Sequence, residues 1–200
     1  MVDVPECAVV HVVDDDGDLG AAVARLLVRN GYCAQAFTSP VAMLHHHADA
    51  PAHCVVTDVM MGDTDGFALA QELRTLDQSA AIIFMTAWPT TANAVDAVRH
   101  HGGLDYLEKP IDEDRLLSAV AEGVGWSKRR RTALARIAPL TPRERDVLNH
   151  LAQGMSNKMV AGQLGLSPKT IEDHRASIVA KTGIANAAGL IALMRDVHEE

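Results

Sequence analysis

The chain has 200 residues, 48% hydrophobic and 22% charged, which supports one or two buried cores and excludes a disordered or low-complexity polypeptide. No segment carries the roughly 18 unbroken apolar residues of a membrane helix. No charged-then-apolar leader opens the chain either, so a cytoplasmic protein with no membrane partner is expected. The formal net charge of -8 conceals a split: residues 1–122 hold 19 Asp/Glu against 6 Lys/Arg, net -13, and residues 123–200 hold 7 against 12, net +5. An acidic front half on a basic back half is the asymmetry expected when only the back half meets nucleic acid.

In chain order, short apolar runs predict strands at 8–13, 32–36, 54–57, 81–85 and 104–107. Helical patterns fall at 18–30, 39–48, 66–76, 90–101 and 113–125. The first helix places Leu19, Val23, Leu26 and Leu27 on one face and stops at Asn30-Gly31. Alternating strands and helices predict an α/β fold, a doubly wound five-stranded parallel sheet over residues 1–122. Cys7, Cys33 and Cys54 are odd in number, widely spaced and outside any CxxC. They read as buried small apolar residues, not as disulfides or zinc ligands. The pattern breaks at Gly123-Val124-Gly125, and the basic run Lys128-Arg129-Arg130-Arg131 reads as a helical linker over 123–139.

From Leu140 every signal is helical. Thr141-Pro142-Arg143-Glu144 is a capping box with proline at the first helical position. Ser156 caps a second helix that stops at Gly165. Ser167-Pro168 opens a third that ends near Gly183, and a fourth covers about 186–197. Two short helices joined through Leu164-Gly165-Leu166 fit a helix-turn-helix, so a small all-α four-helix domain is expected over 140–200.

The strands of the front half deliver charge at their C-terminal ends, where an open parallel sheet binds its ligands. Asp14, Asp15 and Asp58 offer carboxylate oxygens suited to Mg2+, and the Asp58 carboxylate is also a nucleophile for a phosphoryl group. Thr86 ends a fourth strand with a hydroxyl, and Lys109 brings an ammonium as a point charge. Tyr106, three residues earlier on the last strand, is placed to swing when Thr86 moves. Asp16 and Asp18 are read as helix caps. Asp14-x-Asp16-x-Asp18 is not a calcium loop, because Leu19 stands where glycine is needed and Arg25 where the bidentate glutamate is needed. His45-His46-His47 reads as solvated surface, since consecutive residues do not share a helix face.

Val13-Asp14-Asp15, Asp58, Asp63, Gly66, Thr86-Ala87 and Glu108-Lys109-Pro110 together resemble the flavodoxin-like receiver domain of two-component response regulators. The back half resembles the LuxR-type helix-turn-helix through Leu140 to Glu144, Ser156-Asn157-Lys158 and Leu166 to Arg175. The arrangement is similar to the FixJ branch of the FixJ/NarL subfamily. The resemblance implies phosphorylation of Asp58 by a sensor histidine kinase. It implies Mg2+ held by Asp14, Asp15, Asp58 and the backbone carbonyl of Met60, a relay through Thr86 and Tyr106, and Lys109 on the phosphoryl oxygens. The Lys109-Pro110 bond is cis in many such relatives. Two departures stand out: Gly62 sits where relatives usually carry proline, and Trp88-Pro89 follows Thr86-Ala87.

The helix opened by Ser167 is then the recognition helix on a double-stranded operator. Arg175 is its best candidate for a base or phosphate contact. Glu172 or Asp173 can accept from a cytosine amino group, and Thr170 and His174 lie on the same turns. Lys158, Lys169 and Lys181 are assigned to phosphates, which position without reading sequence. A phosphorylation-controlled homodimer that regulates transcription is expected, with RNA polymerase as a further partner and no turnover enzyme activity. The rivals are a haloacid-dehalogenase-type phosphatase and a constitutive DNA-binding protein. The first needs threonine or valine four residues after its nucleophile, where Asp18 stands counting from Asp14. The second leaves the Asp-Thr-Lys set unexplained.

Overall fold

The computed structural model describes residues 7–62, 64–87 and 102–198. The helix expected over 90–101, Trp88-Pro89 and Asp63 lie outside the described residues. The chain forms two compact units, Met1–Lys128 and Arg129–Glu200.

In the first unit, five strands form a parallel sheet: β1 (Val9–Val13), β2 (Cys33–Phe37), β3 (Cys54–Asp58), β6 (Ala81–Thr86) and β7 (Asp105–Glu108), in the order β2-β1-β3-β6-β7. Between β3 and β6 a short hairpin of β4 (Met60–Met61) and β5 (Thr64–Asp65) pairs antiparallel. The helices are α1 (Gly17–Arg29), α2 (Pro40–Asp49), α3 (Gly66–Leu76) and α4 (Glu113–Ile137). Residue alternation along the inner strands feeds two cores. Val10, Val12, Cys54, Val56, Ile83 and Met85 face one side with Leu27 and Leu116. Val13, Val55, Ile82 and Phe84 face the other with Met43, Leu69 and Leu73. A sheet covered on both faces explains why its strands read as unbroken apolar runs.

Of the two aspartates read as caps, Asp16 is the cap of α1 and Asp18 lies in the first turn of the helix. Asp16 opens α1 by accepting from the amides of Asp18 and Leu19, and Ser39 and Asp65 open α2 and α3. α4 does not stop at Gly123-Val124-Gly125 but continues as one 25-residue helix. Gly123 is needed for contact, not for a break: a Cβ there would meet the Ala81 methyl at 3.1 Å and the Cys54 sulfur at 3.3 Å. Val124 and Trp126 are buried in the first unit, Ala133 and Ile137 in the second.

Two polar details depart from expectation. Cys7 and Cys33 form a disulfide with a Cα–Cα distance of 5.7 Å, and only Cys54 is a buried free thiol. Sequence distance misleads here, because the β1–α1–β2 crossover sets Val9 directly beside Cys33. His47 is buried, not solvated: its Nδ1 accepts from the Ala52 amide at 3.3 Å and its Nε2 meets Asp77 at 3.2 Å. It shares the sheet-facing side of α2 with Met43, four residues earlier.

His11, in the middle of β1, is fully buried against the rings of Phe37, His46 and His47, with centroids at 5.2, 5.2 and 5.5 Å. Neither of its ring nitrogens has a partner among the described residues. Burial, then the neighbouring His47 and His46, lowers its pKa from 6.5 to about 4. The unfolded chain therefore takes up this proton first. The neutral-His11 contribution is full above pH 6.5 and is lost as pH falls toward 4, about 3 kcal/mol in all. His11→Phe is expected to flatten the pH dependence of urea midpoints across that window; an unchanged slope would remove His11 as its source.

The second unit holds α5 (Pro142–Ala152), α6 (Asn157–Leu164), α7 (Pro168–Thr182) and α8 (Ala187–His198). Its core gathers Val147, Leu148, Val160, Ile171, Ile178, Leu190 and Leu193. Thr141 and Glu144 form the full capping box on α5, and Ser156 and Ser167 cap α6 and α7. Gly165 ends α6 at φ 65°, a left-handed conformation that costs glycine nothing and lets α7 turn away at once. Among the described residues no single helix is long and apolar enough to cross a membrane.

Candidate functional site

The sheet order has its topological switch point at the β1/β3 pair, and the charged strand ends converge there. Asp14 follows β1 and is fully buried; Asp58 ends β3 at 7% exposure. One carboxylate oxygen from each of Asp14, Asp15 and Asp58 lies within 4.8 Å of the others. Lys109, just past β7, donates from Nζ to Asp14 Oδ2 at 2.8 Å and to Asp58 Oδ2 at 2.6 Å. It is placed by its own backbone, whose amide donates to the Thr86 carbonyl at 2.7 Å, and the peptide bond to Pro110 is cis. Thr86 is buried at the end of β6. Tyr106 lies on β7 with its hydroxyl buried and unpartnered among the described residues.

The electrostatics follow from burial. Desolvation raises the Asp14 carboxyl above its usual range, against the lowering pull of Lys109 and the Asp16 amide and with a further push from Asp58. Burial alone would lower Lys109, but its hydrogen bonds to Asp14 and Asp58 outweigh that and hold the ammonium above its ordinary value. Packed carboxylates, one in a fully buried position, form an oxygen-only donor set suited to a hard divalent cation.

Two supports of this site carry no charge. The Met60 amide donates to Asp58 Oδ1 at 3.2 Å, while its side chain is exposed. Gly66, at the start of α3, donates its amide to the Val59 carbonyl at 2.8 Å, and a Cβ there would run into the Asp58 carbonyl oxygen. Gly62 turns the β4–β5 hairpin at φ 57°. A proline, with φ fixed near −65°, cannot make this turn, so the hairpin is built on the glycine at this place. The Met60 amide and the hairpin were not legible beforehand: two-residue strands leave no periodicity to read.

In the second unit, α7 exposes Lys169, Glu172, Asp173 and Ala176, with Thr170, His174 and Arg175 half-buried. Lys158 is exposed on α6. Arg175 reaches Asn157 Oδ1 at 3.5 Å, and Lys169 pairs with Asp173 at 3.2 Å. Lys181 is placed differently: its Nζ lies 2.9 and 2.6 Å from the two carboxylate oxygens of buried Glu144. Glu144 also accepts from the Ser177 hydroxyl and, at 2.7 Å, from the Thr141 amide. One side chain thus caps α5 and ties α7 to it, across 37 residues of sequence.

Two family models match, response regulator receiver domain over residues 10–121 and bacterial regulatory proteins of the luxR family over residues 138–194. The transcriptional regulatory protein FixJ of Azorhizobium caulinodans is 36% identical over 196 residues, covering 94% of this chain and 92% of that protein. FixJ of Bradyrhizobium diazoefficiens is 33% identical, covering 92% and 93%. Among solved structures, full-length FixJ from B. japonicum superposes with a TM-score of 0.52 at 31% identity, over 96% of this chain and 98% of that one. Response regulator StyR gives 0.54 at 29% identity, over 94% and 98%. A parallel sheet with an acidic, lysine-bridged crevice, followed by a helix-turn-helix unit matched by the luxR-family model, places this chain in the two-component response regulators, as a receiver domain joined to a LuxR-type DNA-binding domain that regulates transcription.

Proposed function

We propose that Asp58 is the phosphoacceptor through which a sensor histidine kinase controls this regulator. The supporting observation is the Lys109 ammonium, held at 2.8 and 2.6 Å between the Asp14 and Asp58 carboxylates. An Asp58 oxygen attacks the phosphorus of a phosphohistidine donor; the phosphorus–nitrogen bond breaks, and the leaving imidazole takes a proton. Lys109 moves from carboxylate to phosphoryl oxygens, and the Thr86 hydroxyl follows. Asp14, Asp15, Asp58 and the Met60 carbonyl would hold Mg2+, which would supply positive charge against the phosphoryl oxygens. Thr86 and Tyr106 relay the change, and the population shifts toward a homodimer on a two-fold operator. The chain is a stoichiometric phosphoacceptor, not a turnover catalyst, and works in the cytoplasm with DNA and, in turn, RNA polymerase.

The division is a receiver over 1–122, a helical connector over 123–139 whose Val124 and Trp126 pack on the receiver, and a DNA-binding domain over 140–200. Within the last, α7 enters the major groove. Arg175, Thr170, Glu172, Asp173 and His174 face the bases or nearby backbone, and Lys158 and Lys169 meet phosphates. Lys181 does so only while sharing its ammonium with Glu144. The testing experiment selects operator sequences with and without a small phosphodonor. One phosphoryl group per chain and phosphodonor-dependent pairing on a palindrome are expected; many turnovers on phosphate monoesters would overturn the reading. Arg175→Ala is expected to weaken operator binding by about 1–3 kcal/mol in a gel-shift titration, and unchanged affinity would remove that assignment.

A further inference from the structure

The three cysteines have two different fates. Cys54 is fully buried in β3, and burial pushes its thiol far up, so it neither ionises nor exchanges. Cys33 begins the edge strand β2 and is exposed, and Cys7, just before β1, is partly exposed. The pairing Val9↔Cys33 and the bond from the Cys33 amide to the Ala8 carbonyl, 3.0 Å, bring their Cα atoms to 5.7 Å. That is inside the range a disulfide spans, so the backbone as folded holds the two sulfurs ready for each other.

A regulator that binds DNA works where thiols are kept reduced, and bridges that form in such a compartment are transient and redox-sensing. We propose that Cys7 and Cys33 are a reversible dithiol–disulfide site, oxidised by a low-molecular-weight disulfide of the oxidised-glutathione class, which locks the outer edge of the receiver sheet. The Cys33 thiolate, the more exposed, attacks one sulfur of the small disulfide and expels one small thiolate. The Cys7 thiolate then attacks the Cys33 sulfur and expels the second. Two protein thiols become one disulfide, one small disulfide becomes two thiols, and the two protons pass to the departing thiolates. The bridge spans a sequence separation of 26 and encloses all of α1, so closing it restricts the unfolded receiver more than the folded one.

The full chain is equilibrated with an oxidised or a reduced glutathione couple, labelled with a maleimide under native conditions and weighed intact. The reduced chain is expected to take two labels and the oxidised chain none, with Cys54 silent in both. Thermal unfolding of the first unit is expected about 10 °C higher in the oxidised form, and Cys33→Ser is expected to erase the difference. Two labels retained after oxidation, equal unfolding temperatures in the two couples, or a redox-dependent shift that survives in Cys33→Ser would each overturn the proposal.

Discussion

Asp58→Asn is expected to abolish phosphoryl uptake while leaving the fold intact. The amide has the shape of the carboxylate, and its oxygen can still accept from the Met60 amide where Oδ1 does now, at 3.2 Å. It is not a nucleophile toward phosphorus, so labelling by a small phosphodonor falls to background. Lys109 loses one of its two carboxylate partners but keeps Asp14 at 2.8 Å. Removing the Asp58 charge also withdraws one of the influences that raise Asp14. Both changes are small against the whole stability of a domain, so the circular dichroism spectrum and urea midpoint are expected to stay close to those of the parent. Labelling that persists, or a collapsed fold, would refute the assignment.

Glu144→Ala is expected to have the largest effect in the second unit. It removes half of a capping box, about 1 kcal/mol, and charge-assisted bonds to Lys181 together with the bond from Ser177, about 2 kcal/mol more once the partial exposure of Lys181 is discounted. A loss of about 3 kcal/mol is a large fraction of the stability of so small a helical domain, so both the helical signal of this unit and operator binding should weaken near 37 °C. Glu144→Gln keeps the reach but not the charge and should fall between. The Lys181 ammonium first, then the Ser177 hydroxyl and the Thr141 amide, hold the Glu144 carboxyl down at about 2, from 4.5. A depressed acid stabilises above its unfolded value, so this contribution is complete above pH 4.5 and is lost as pH falls toward 2. A Glu144→Ala unit as stable as the parent in urea would show that the contact is decorative.

The sheet was legible because burial on both faces turns its inner strands into apolar runs, and each predicted strand begins within one residue of its place. The convergence of the acids and the lysine was legible because each ends or follows a strand, and strand ends meet. What escaped depends on neighbours far away in sequence. His11 looks like any polar residue in a strand until Phe37, His46 and His47 close around it. Glu144 announces its capping box locally, but its partner Lys181 lies 37 residues on. The Gly123-Val124-Gly125 stretch looks like a break, because sequence shows the glycines and not the Cys54 sulfur and Ala81 methyl that one of them accommodates. The disulfide escaped for the same reason.

The contact between Gly66 and the Asp58 carbonyl has a further consequence, for how this protein can evolve. A position with no side chain, no charge and no chemistry is then as constrained as the acid it abuts, since even one methyl group would run into the backbone of the proposed phosphoacceptor. In a saturation library scored for phosphodonor-dependent transcription, position 66 should tolerate as little as position 58. Any lineage that replaced this glycine would first have to reshape the hairpin before it.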